Sequence, residues 1–205
     1  MLFMSFGIAI AGLVLEYLVW TVDWWRPLTI TGTKIGIEDV ILGITNGGLG
    51  AVLYEIVFGK RTRALRKDST VKRFFKKRQW LLWTPLLASV IVGSTIFWIL
   101  GWHSFWATIL SCLIGTVLII LLRSDLLPGA VFGGLSMVLV TLPVYKLLVF
   151  FFPGVVENFW LLDNLSGFLI WGIPVEDLGF YFAAGAFLAP FYEFLFEKQL
   201  IDIPG

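Results

Sequence analysis

Six apolar runs, each about twenty residues long and each bounded by charged or turn-forming residues, constrain this chain more than any other feature. They lie near residues 1–20, 35–58, 80–100, 104–122, 129–152 and 173–197. A bilayer's hydrocarbon core needs about 20 helical residues to cross, so each run reads as a transmembrane helix. Composition agrees: 59% of the 205 residues are hydrophobic and 14% are charged, against about 25% charged in soluble domains. The expected fold class is an all-α polytopic membrane protein of about six helices. The first run has no basic leader and continues into Glu16, Tyr17 and Trp20 instead of a small-residue cleavage site. It therefore reads as a retained helix and not as a signal peptide.

Several function classes drop out at once. A formal charge of +1 cannot supply the basic surface of a nucleic-acid binder. The lone Cys112 closes no internal disulfide, and the lone His103 leaves no zinc-protease ligand set. No metal site is expected.

Ten of the fifteen Lys and Arg residues fall between Lys60 and Arg78, which by the positive-inside rule makes that loop cytoplasmic. An even number of helices then puts both termini in the cytoplasm of a protein integral to the cell membrane. The basic run itself reads as a topology determinant touching anionic lipid headgroups, with a docking role for protein or nucleic acid as the less favoured reading.

A repeat organises the remaining charge. Ile35 to Lys60 aligns without gaps on Ile173 to Lys198, an offset of 138 residues, with nine of 26 positions identical. The shared residues include Glu38 and Glu176, Asp39 and Asp177, Tyr54 and Tyr192, and Glu55 and Glu193. Four helix steps separate the copies, so both cross in one direction, as in a parallel duplication. The preceding helices correspond as well, each leading to a loop with Trp and Asp: Trp20, Asp23, Trp24 and Trp25 in one, Trp160 and Asp163 in the other. The expected organisation is a truncated first repeat of two helices over 1–60, a basic loop over 61–79, a second repeat of four helices over 80–198 and a tail over 199–205. The first copy lacks counterparts of spans three and four, which a homo- or hetero-oligomeric partner could supply.

Ionisable side chains within membrane segments are costly, about 2.5–3.5 kcal/mol on insertion scales, and tend to face the bundle interior. The pairs Glu38-Asp39 and Glu176-Asp177 are therefore the candidate chemical centre. Adjacent carboxylates in a low-dielectric site do not both ionise easily, so one can act as a Brønsted acid beside a carboxylate base or cation stabiliser. Asn46 shares a helix face with Asp39, as Thr45 does with Glu38. The plainer alternative is that acids at helix N-termini complement the macrodipole. Tyr54-Glu55 and Tyr192-Glu193 read either as interfacial anchors or as substrate contacts. Arg123, Ser124 and Asp125 read as an ion pair on a loop or as the wall of a site, and His103 as interfacial.

At these residues the chain resembles a known family, the small integral-membrane lycopene cyclases of bacterial heterodimeric type, also found fused in archaea and fungi. That family has tandem helical repeats, each with a Trp-rich loop leading into a Pro-x-Glu-Glu helix that ends near Tyr-Glu. Here one copy reads Trp24, Pro27, Gly36-Ile37-Glu38-Asp39 and Tyr54-Glu55; the other reads Trp160, Ile173-Pro174-Val175-Glu176-Asp177 and Tyr192-Glu193. The first copy has no proline at that place, and both have Asp where the family has its second Glu. The resemblance implies proton-initiated cyclisation of a linear carotenoid end group without net redox and without a cofactor. It implies catalytic roles for Glu38, Asp39, Glu176 and Asp177, with Glu38 or Glu176 protonating the terminal double bond and Asp39 or Asp177 stabilising the cation. It also implies substrate contacts from Trp24, Asn46, Tyr54, Glu55, Trp160, Tyr192 and Glu193, and an apolar substrate that arrives from lipid. Two other classes stay open: a non-catalytic binder of a carotenoid, quinone or prenyl lipid, and a small proton- or cation-coupled transporter.

Overall fold

A computed structural model describes residues 2–65 and 70–202. The basic-loop residues Arg66 and Lys67 and the end of the expected tail, 203–205, lie outside the described residues. Six helices are long and apolar enough to cross a bilayer: α1 (Leu2–Asp23), α2 (Ile37–Val57), α4 (Gln79–Ile99), α5 (Ser104–Leu122), α6 (Ser124–Phe151) and α8 (Val175–Leu195). Two short helices, α3 (Thr70–Lys76) and α7 (Val155–Phe159), lie in the connections. The chain is a polytopic all-α membrane protein. Its helix limits fall close to the apolar runs; the largest difference is at α6, which starts earlier through a 3₁₀ turn at Ser124–Leu126.

Consecutive helices alternate in direction, so the bundle has two distinguishable ends. The tryptophan end holds the α1–α2 and α6–α8 connections, and the basic end holds Lys60–Ala64 and α3. α8 is the central helix: thirteen of its 21 residues are buried, Glu176, Asp177 and Tyr181 near its start and the rest in a run from Ala183 to Phe194 broken only at Ala184 and Tyr192. The outer helices turn most of their apolar side chains outward, which suits a lipid surround in which apolar exposure carries no penalty.

Without a hydrophobic drive between helices, close packing needs small residues. A Cβ on Gly47 of α2 would lie 2.8 Å from both the Met4 carbonyl and the Ile8 Cβ of α1. A Cβ on Gly185 of α8 would lie 2.7 Å from the Gly133 carbonyl and 2.8 Å from the Met137 Cβ of α6. Two intimate helix pairs, α1–α2 and α6–α8, therefore form the frame around the centre. Their core at the basic end includes Phe75, Ile119, Phe187, Phe191 and Phe194, with Phe75 anchoring α3 edge-on against Phe194.

Two features of the ends are not helical. At the tryptophan end the loops after α1 and α7 clasp each other: Arg26 N–H donates to the Phe159 carbonyl at 2.7 Å and Leu161 N–H to the Trp24 carbonyl at 2.8 Å. At the basic end β1 (Lys60–Ala64) pairs antiparallel with β4 (Lys198–Asp202), Thr62 opposite Leu200. A second small ladder, β2 (Leu169–Ile170) with β3 (Ile173–Pro174), leads into α8.

Candidate functional site

Asp39 and Asp177 occupy the same place in their helices, the third residue after the N-cap, which is Gly36 in α2 and Pro174 in α8. An acid at that position ordinarily reaches back to the N-cap amide. Asp39 does so, its Oδ2 accepting from Gly36 N–H at 2.7 Å. Pro174 has no N–H to offer, so the Asp177 carboxylate turns to side chains. Trp24 Nε1–H donates to Oδ1 at 3.0 Å, Trp160 Nε1–H to Oδ2 at 2.9 Å, and the Tyr145 hydroxyl to Oδ2 at 2.7 Å. Indole nitrogens only donate, so Asp177 is set among donors on both oxygens while 2% exposed. The two Trp loops that clasp each other thus bring one indole from each loop to a single carboxylate.

Both aspartates line one cavity of about 280 Å³ at the tryptophan end. Its upper wall is aromatic, with Trp20, Trp24, Trp25, Trp160 and Phe180; its floor is formed by Ile8, Met137 and Leu188. Asn46 and Tyr181 add polar atoms, the Tyr181 hydroxyl facing Asn46 and Tyr145. Two lining residues, Leu42 of α2 and Val144 of α6, are 42% and 60% exposed. They mark a mouth on the lateral, lipid-facing surface of the bundle. Trp20 is held by its Nε1–H on Thr108 Oγ1 at 2.9 Å.

Glu38 and Glu176 are turned to loop amides. Glu38 Oε1 accepts from Ile30 N–H at 2.8 Å and Glu176 Oε1 from Ser166 N–H at 2.7 Å, each folding its preceding loop back onto the helix start. Among the described residues, the cavity lining includes the aspartate of each pair and not its glutamate neighbour.

Tyr54, Glu55, Tyr192 and Glu193 sit at the basic end, fifteen or sixteen residues from the aspartates, about 23 Å along the helix at about 1.5 Å per residue. There Tyr54 packs on Phe58 and Phe132, and Lys198 Nζ donates to the Tyr192 hydroxyl. Glu193 is buried beside Glu55, Arg123 and Lys198. Arg123 forms a two-pronged ion pair with Asp125 at 2.8 and 2.6 Å and donates to the Lys198 carbonyl at 3.0 Å. Of the sequence-derived candidates, the cavity gathers Trp24, Asp39, Asn46, Trp160 and Asp177 and leaves the two Tyr-Glu pairs at the far end. His103 sits at the surface of the tryptophan end, its Nδ1 3.2 Å from Asp23 Oδ2.

Sequence reading missed Glu16, Tyr145 and Tyr181, all of which line the cavity. The signal for Glu16 was present, an ionisable residue deep in an apolar run. Glu16 opens a π-helical turn, Glu16–Trp20, within α1, a local widening often found at functional sites. Among the described residues, no three His, Cys, Asp or Glu side chains gather to hold a metal.

Fold and site together define a polytopic helical membrane protein with a carboxylate-bearing, aromatic-walled cavity open to lipid at one end. Residues 102–195 match the family model described as lycopene cyclase. The match spans α5 to α8 in full and includes Tyr145, Trp160 and Asp177; Glu16, Trp24 and Asp39 lie before it. No curated protein and no solved structure matches the chain.

Proposed function

We propose that this chain is a carotenoid cyclase of the lycopene type, acting on a linear polyene end group in the cavity at the tryptophan end. The observation that carries this reading is the convergence of Asp39 and Asp177, from two separate helices, on one apolar cavity with a lateral mouth. At about 280 Å³ the cavity lies at the lower limit of small-molecule sites, so it suits a ring-sized end group while the rest of the polyene stays in lipid through the mouth at Leu42 and Val144.

Protonation of an alkene creates a carbocation, and a preoriented charge in a water-excluded site stabilises it best. Asp177 supplies such a charge, held on both oxygens by Trp24, Trp160 and Tyr145. The aromatic wall adds cation-π stabilisation. Glu38 and Glu176 keep the loops closed over the cavity, and membrane lipid covers the outer helices. The basic end faces the cytoplasm with both termini.

Expression of the full chain in a lycopene-accumulating host, with pigment chromatography, tests the reading. Cyclised pigment is expected from the wild type, and at least a hundredfold less from Asp177→Asn. Unchanged lycopene in cells with well-expressed, membrane-inserted protein rejects it.

A further inference from the structure

Glu16 is the group in this cavity with the least compensation. It is 3% exposed, lines the cavity, and its Oε1 is buried without a hydrogen-bond partner. Its charged neighbours are Asp39 and Lys34; the Lys34 ammonium, on the loop outside, donates to the Tyr17 carbonyl at 2.6 Å and lies over the Tyr17 ring. A buried anion with an unpartnered oxygen beside a second carboxylate is far costlier than the neutral acid.

The helix pairs give Glu16 a counterpart. Gly47 meets Met4 and Ile8 as Gly185 meets Gly133 and Met137. Met4 and Gly133 are 129 residues apart, as are Ile8 and Met137, and the same step from Glu16 lands on Tyr145. Glu16 therefore stands in the α1–α2 pair where Tyr145 stands in the α6–α8 pair, one beside Asp39 and the other bonded to Asp177. The two sides of the cavity are built alike and equipped differently. On one side a phenol, a far weaker acid than a carboxyl, joins two indoles in donating to a carboxylate. On the other a carboxyl faces the cavity with a free oxygen.

From this we infer that Glu16 holds the transferable proton of the cavity and Asp177 is its fixed counter-charge. Resting on the cyclase reading, this assigns the proton donor of the reaction. The Glu16 O–H bond breaks as a C–H bond forms at the less substituted carbon of the terminal double bond. The π pair of a second double bond closes on the resulting tertiary cation. A carbon next to the new cation then loses a proton to the Glu16 carboxylate, which regenerates the acid and leaves the product an isomer of the substrate.

The test uses the full chain in lipid vesicles containing lycopene, read by pigment chromatography for turnover and by infrared spectroscopy for the protonated-carboxyl stretching band. Glu16→Gln is expected to lose at least a hundredfold in turnover and to lose a protonated-carboxyl band that Asp177→Asn retains. Glu16→Asp, which keeps a carboxyl in place, is expected to retain the band at a shifted position along with measurable turnover. Wild-type turnover in Glu16→Gln, or a band unaltered in both Glu16 variants, overturns the assignment. A wild-type protein that turns nothing over while Glu16→Gln removes the band refutes the cyclase reading and upholds Glu16 as the proton-holding group.

Discussion

Gly36 offers Asp39 an amide at 2.7 Å, whereas Pro174 offers Asp177 none, and the side-chain network around Asp177 depends on that difference. Pro174→Ala restores an N–H at the cap and gives Asp177 the option that Asp39 takes. The expected outcome is roughly tenfold less cyclised pigment, since a hydrogen bond to a charged group contributes about 1.5–3 kcal/mol, with a melting temperature in detergent that does not fall. Trp160→Phe removes one donor while keeping an aromatic wall, and a loss of tenfold or more in turnover is expected at near-normal lycopene binding. At this scale the sequence showed the acidic pairs as pairs. Which member faces the cavity was not legible, because it depends on amides at Ile30 and Ser166, eight and ten residues upstream, that the glutamates engage. Glu16 escaped a search built on repetition because its counterpart is the chemically different Tyr145.

Helix positions were legible because bilayer thickness sets their length: the run read as 35–58 is Ile37–Val57, and that read as 104–122 is Ser104–Leu122. Helix pairing was not, since glycines are spread along both partners and only contact geometry separates those that matter. Gly7→Ala meets nothing within 4 Å and is expected to leave stability unchanged or raise it by up to about 1 kcal/mol. Gly47→Ala and Gly185→Ala push against a neighbouring backbone carbonyl, at an expected cost of about 1–3 kcal/mol each. Thermal melts of the three variants in one detergent give the comparison. The ribbon of β1 and β4 was hidden inside a stretch read as basic loop and tail. Its central partners, Thr62 and Leu200, are 138 residues apart, the same step that aligns α2 with α8.

For the molecule as a whole, charge asymmetry predicts orientation. In a Cys112→Ala background, Ile30→Cys at the tryptophan end is expected to react with an impermeant maleimide on intact cells. Lys76→Cys, exposed on α3 at the basic end, is expected to react only after permeabilisation. Reversed labelling inverts the topology.

The mouth between Leu42 and Val144 opens sideways, so on the proposed cyclase reading a polyene enters the cavity from lipid without passing through water. The concentration that matters for such a protein is then a mole fraction in a two-dimensional fluid. Adding empty phospholipid at a constant amount of pigment should slow turnover as it dilutes the surface, while adding buffer should change nothing. Membrane area, and the other lipids competing for it, would then set the working rate in a cell.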